Sequence, residues 1–237
     1  MQGLFKKGTQ LFLGLTLGVF YPLIFQALAQ QTESLIYEIG AQFQLEGHII
    51  STEVHGNGNV NDTFLLFCED EDSLNRYTLQ RINHEVFKDP EGLMNNFSRV
   101  TRHLQAKIEE ERSSKECLRV VSARDGRAFH RDPDGNFWRV TRFVDGGRSY
   151  DVPENDRQAY EAAKAYGEFQ AKLSDMPGEP LLDTIPDFHN TRMRFENFRT
   201  AVERDEAGRS SEVGDLVEFA LEREFLADKI KAEDFPV

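Results

Sequence analysis

The spacing of apolar positions predicts short strands through the first part of the chain and helices after them. Ile49–Val54 is short and rich in β-branched residues, and it stops at His55-Gly56-Asn57-Gly58-Asn59. A second apolar run, Thr63–Cys68, follows Val60-Asn61-Asp62, so the two read as a β-hairpin with a glycine- and asparagine-rich loop. Arg76–Ile82 is a third strand after a polar turn over 70–75. The period then changes. Leu93, Phe97, Val100, Leu104 and Ile108 recur at helical steps, and Asp89-Pro90-Glu91 opens that helix with an acidic first turn.

Leu118–Ala123 reads as a fourth strand, Arg131–Asn136 as a turn, and Phe137–Val144 as a strong fifth strand. Asp145-Gly146-Gly147 breaks the pattern and sets a domain boundary near residue 147. Beyond it three helical stripes appear: Ala162, Tyr166, Phe169 and Leu173; Phe195, Phe198 and Val202; Val213, Val217, Leu221 and Phe225. Met176–Pro180 separates the first two. The expected class is α+β, with five antiparallel strands and one inserted helix forming a small lobe, followed by helices.

Charge narrows the chemistry. The 237 residues carry 28 Lys+Arg against 41 Asp+Glu, a net of −13. Phosphate neutralisation needs basic residues in excess, so general nucleic-acid binding is excluded. Lys6 and Lys7 are the only charged residues among the first 30, and setting them aside takes the net charge to −15. That first segment is different in kind. A basic start, the apolar run Leu11–Phe25 and an Ala27-x-Ala29 ending have the pattern of a secretory signal. A membrane anchor, giving membrane contact through residues 4–29, and a start codon set too far upstream are the alternatives. Cys68 and Cys117 make no disulfide framework and are expected to be reduced, buried thiols.

Candidate chemistry concentrates in the strand-rich lobe. Gly56, Asn57, Gly58, Asn59 and Asn61 form a loop in which backbone N–H groups can approach phosphate oxygens unhindered. An ordinary hairpin turn is the plainer reading, and the GxxxxGK[ST] spacing of a P-loop is missing. In protein-kinase-like folds such a loop covers a nucleotide while the third strand supplies a residue to its phosphates. Gln80 and Arg81 occupy that place here, and strand alternation turns only one of them inward. Phe143 and Val144, at the end of the fifth strand, would be the hinge that pairs with adenine. Asn95, Asn96, Arg99, Arg102 and His103 give the helix a polar face that could line the cleft, although such a face is more often simply solvated, and no glutamate stands at its centre. Asp132, Asp134 and Asn136 fit a β-turn rather than a calcium loop. The six histidines show no metal-ligand spacing.

Several of these segments together resemble a known family. Gly56–Thr63, Leu79–Asn83, Glu85–Pro90, Leu93–Asn96, Val100–Leu104, Trp138–Val140 and Ile185–Thr191 are similar to the aminoglycoside phosphotransferase/choline kinase superfamily. Within it, the likeness is to the branch of N-acetylhexosamine 1-kinase-type sugar kinases. The resemblance covers about residues 33–237 and implies a kinase-like bilobal fold. It also implies a cytoplasmic enzyme using ATP and magnesium to phosphorylate a small hydroxyl compound, such as an N-acetylhexosamine. On that pattern, residues 33–147 are the nucleotide-binding lobe and 148–237 part of a helical lobe. The family's H-x-D-x(4)-N catalytic loop and its later metal-binding acid have no match, so no catalytic or metal-ligating residue is assigned in this chain. The expectation is an N-terminal fragment of a kinase, inactive by itself. A pseudokinase module that binds a nucleotide or a partner without chemistry is the alternative.

Overall fold

A computed structural model describes residues 30–56, 60–113, 115–148, 150 and 152–229. The apolar segment Leu11–Phe25, and with it the signal, anchor and mis-set-start readings, lies outside these residues. So do Asn57, Gly58 and Asn59 of the glycine loop. Among the described residues no helix is long and apolar enough to cross a membrane.

The strands are β1 (His48–Val54), β2 (Asp62–Glu69), β3 (Leu74–Ile82), β4 (Val120–Val121), β5 (His130–Arg131) and β6 (Phe137–Arg142). They form one antiparallel sheet in the order β1-β2-β3-β6-β4, with β5 paired to β6. Five strands were expected, and β5 is the addition. Arg131 falls where the sequence suggested a turn, with His130 just before it, because the turn is tighter: it closes at Asp132–Asn136, with Asp132 N–H donating to Asn136 O at 3.0 Å. The fourth strand is shorter than expected. Only Val120 and Val121 pair with β6, since the next carbonyl, Ser122 O, accepts from Gln44 N–H (2.9 Å) and Ala123 bridges Phe43.

Side-chain alternation gives the sheet two faces. Leu66, Cys68, Tyr77, Leu79, Trp138 and Val140 point to one of them. A helix over residues 30–40, α1, and the segment after it cover that face through Ile36, Ile39 and Phe43, all buried. Tyr77 Oη accepts from Glu46 N–H at 3.0 Å and ties the same segment down. Gly47 then makes a turn that no other residue could make: its φ is +86°, and an added Cβ would lie 2.3 Å from Glu69 O.

The other face receives α2 (Pro90–Glu110), predicted from its stripe. Asp89 caps it, its carboxylate accepting from Gly92 N–H at 2.8 Å, with Pro90 in the first turn. Met94 packs with Ile82, Phe129 and Phe137, flanked by Phe87, Leu93 and Phe97.

The chain divides into two compact units, residues 1–176 and 177–237. The break comes later than the change of pattern near residue 147. The reason is α3 (Asp156–Leu173), which packs on α2; Lys115–Glu168 and Lys172–Glu111 tie α3 to the segment just past α2, and Lys107 of α2 pairs with Asp175 just past α3. The second unit holds α4 (Thr191–Arg204), capped by Asn190, and α5 (Gly214–Leu221). Its last stripe is not one helix: short 3-10 turns, Ser210–Val213 and Glu224–Leu226, flank α5. Arg192 joins the two ends of this unit by pairing with Glu224 and Asp228.

Candidate functional site

The α2 face of the sheet carries a row of connected polar groups. Strand register places Thr63 of β2, Gln80 of β3 and Arg139 of β6 side by side across three strands. Gln80 joins them. Its Nε2 donates to Thr63 Oγ1 at 3.0 Å, and its Oε1 accepts from Arg139 Nε at 3.0 Å. The Arg139 guanidinium lies 4.4 Å from the centre of the Phe97 ring on α2. Removal from water is what lowers the pKa of this guanidinium.

The question left open by alternation at β3 is settled by these contacts. Gln80 turns toward α2, whereas Arg81 points to the other face, exposed, over Trp138. Arg81 Nε donates to Asp62 Oδ2 at 2.8 Å, and its Nη2 pairs with the same carboxylate. It is the cation of an exposed ion pair.

The ends of the expected nucleotide loop and hinge meet. His55, just past β1, touches Phe143, just past β6, edge to face with ring centres 6.0 Å apart. Arg76 stacks on Phe143 at 4.6 Å and pairs with Asp145. Val144 is exposed beside it. Gly56 has φ +79°, and an added Cβ would meet no atom within 4 Å, so glycine is favoured there by backbone conformation and not by lack of space. Asn61 is used structurally: its Oδ1 accepts from Asn83 N–H at 2.9 Å.

The polar face of α2 divides. His103 Nε2 lies 2.8 Å from Lys172 O and 3.2 Å from Asp175 Oδ1, which commits it to α3. Asn95 and Arg102 line a separate groove of about 440 Å³ with Val120, Arg127 and Phe129.

These observations meet a direct comparison. The sequence model of the phosphotransferase enzyme family, APH, matches residues 51–236. The chain belongs to that family. Among solved structures, spectinomycin phosphotransferase APH(9)-Ia, in complex with ADP and spectinomycin, is similar with a TM-score of 0.46 and 13% identity. The match covers 85% of this chain and 58% of that one, so the chain spans little more than half the length of that phosphotransferase.

One triplet with a kinase-like look, His130-Arg131-Asp132, went unremarked in the sequence. Asn136 stands four residues beyond Asp132, one short of the H-x-D-x(4)-N spacing. In this APH-family chain it is a turn lock. Asp132 accepts from Asn136 N–H (2.8 Å), Asn136 Nδ2 (2.9 Å) and the Trp138 indole N–H (2.8 Å). Burial raises the pKa of this carboxyl, but the hydrogen bonds outweigh that and hold it below the usual range. At 6% exposure it has no access to an acceptor hydroxyl. Arg139 and His55 were also not singled out as site residues. The signal for Arg139 was available: Trp138 and Val140 are core residues, so the charged residue between them must face the other way. Among the described residues no group of three or more His, Cys, Asp or Glu side chains converges as a metal site.

Proposed function

We propose that these residues form the nucleotide-binding part of an ATP-dependent phosphotransferase that acts on a hydroxyl group of a small molecule. Family membership supports the reaction class. The observation that carries nucleotide binding is the convergence of the loop end, His55 and Gly56, with the hinge residue Phe143 on the sheet face that also bears Arg139. Adenine would lie against the aromatic edge and the exposed backbone after β6, with its phosphates toward the glycine loop.

The acceptor is an amino sugar of the N-acetylhexosamine class, a reading supported by the motifs shared with that branch of sugar kinases. A cytosolic location fits a consumer of ATP. The transfer step is not assigned to these 237 residues, because they hold no H-x-D-x(4)-N sequence and Asp132 is locked in a turn.

Titration of the chain with ADP, ATP and adenosine in a thermal-unfolding assay tests the reading. Saturable binding at 100 times Kd stabilises by about 2.7 kcal/mol, a shift of several degrees. Absence of any shift with all three ligands at millimolar concentration refutes nucleotide binding. ADP release on adding N-acetylglucosamine or N-acetylgalactosamine would refute the exclusion of catalysis.

A further inference from the structure

Four arginines stand on the two central strands β3 and β6, and three have a carboxylate beside them. Arg76 pairs with Asp145, Arg81 with Asp62 and Arg142 with Glu46. Arg139 pairs with none among the described residues, although it is the one whose pKa is lowered by burial. A guanidinium withdrawn from water without a counter-charge is costly, and an aromatic face offsets only part of that cost. Its surroundings hold it in one orientation. Gln80 fixes Nε, Phe97 fixes the plane, and the two Nη groups remain as a planar fork of donors.

From this arrangement we propose that Arg139 on β6 is the cation that binds the phosphate chain of the nucleotide, in place of a cation on β3. The proposal rests on the nucleotide reading above. A guanidinium edge offers two parallel donors to a phosphate, and an anion arriving there supplies the charge that the protein omits. Thr63 and Gln80 are positioning residues: the hydroxyl orients the amide so that its oxygen, not its nitrogen, faces Arg139. A glutamate at position 80 would place a carboxylate against Arg139 and compete with the ligand.

The test measures binding of ADP, adenosine and pyrophosphate by calorimetry to the full chain, R139Q and Q80E, with unfolding midpoints recorded alongside. Loss of a charge-assisted contact lowers ADP affinity by about 10- to 100-fold in R139Q while adenosine affinity holds. Q80E shows the same selective loss with an unfolding midpoint at or above that of the unaltered chain, which a purely structural Arg139 would not produce. Equal ADP-to-adenosine preference in all three proteins overturns the proposal, and Q80E alone decides if R139Q does not fold. Pyrophosphate separates the two readings. If the chain binds it in an Arg139-dependent way but binds no nucleoside, the phosphate site stands and the nucleotide reading fails. If it binds neither, both fail.

Discussion

Replacing Asp132 by asparagine tests how the β5–β6 turn is held. The carboxylate accepts three hydrogen bonds, two of them at Oδ2, from Asn136 Nδ2 and the Trp138 indole. Asparagine keeps one oxygen and replaces the other by an NH2 group. Either the indole N–H, buried in the core beneath α1 (the first core), or the Asn136 donors then face a donor. An unsatisfied buried group costs about 1–3 kcal/mol, and the lost charge assistance brings the expected total to about 2–3 kcal/mol. For a chain of this size that lowers the melting point by roughly 4–12 °C. The dependence on pH is equally specific. The folded carboxyl titrates below the usual aspartate value, so its stabilisation is fully present above about pH 4 and is lost as pH falls through the lower folded value. The two proteins should differ by a constant amount from pH 5 to 7 and converge in more acid solution. Trp138 is the only tryptophan, so urea unfolding followed by its fluorescence, with circular dichroism as a second probe, reads the event where it occurs. A difference under about 0.5 kcal/mol at pH 7 would refute the turn-lock account. So would a difference that persists undiminished below pH 3.

Two further outcomes follow from the fold. Gly47→Ala should lower stability by more than about 2 kcal/mol in the same urea assay, since the methyl meets backbone atoms and the φ is left-handed; a loss under about 0.5 kcal/mol would contradict the close approach to Glu69. The Cys68 thiol, pushed up to about 11 by burial, should resist a thiol reagent at pH 8 until the protein unfolds. Labelling of native Cys68 as fast as a free cysteine would show that the first core opens there.

The sheet was readable because its strands alternate and its turns carry glycine, asparagine and aspartate. β2, β3 and α2 fall where their periods place them. What escaped reading depended on long-range pairing. The β4 ladder is cut short by partners some 80 residues away, Gln44 and Phe43, which no local pattern reveals. β5 is two residues long and exists only because Asp132 turns the chain back on β6. The same limit applies to the site. At β3 the sequence offered a glutamine and an arginine with equal claims, and the charged one faces away from α2. Arg139 draws its interest from what is not beside it, and a missing counter-charge is visible only once neighbours across three strands are known.

Helix α1 gives the first core an importance out of proportion to its length. Burying Ile36, Ile39 and Phe43 contributes about 1.5–3 kcal/mol each, together comparable with the whole net stability of an ordinary domain. Yet all three residues precede position 51, where the match to the phosphotransferase family begins. The unit that folds is therefore larger than the unit that can be recognised. A chain trimmed to the family limits would uncover Leu66, Tyr77, Leu79 and Val140 together, and its insolubility would say nothing about its capacity to bind a nucleotide.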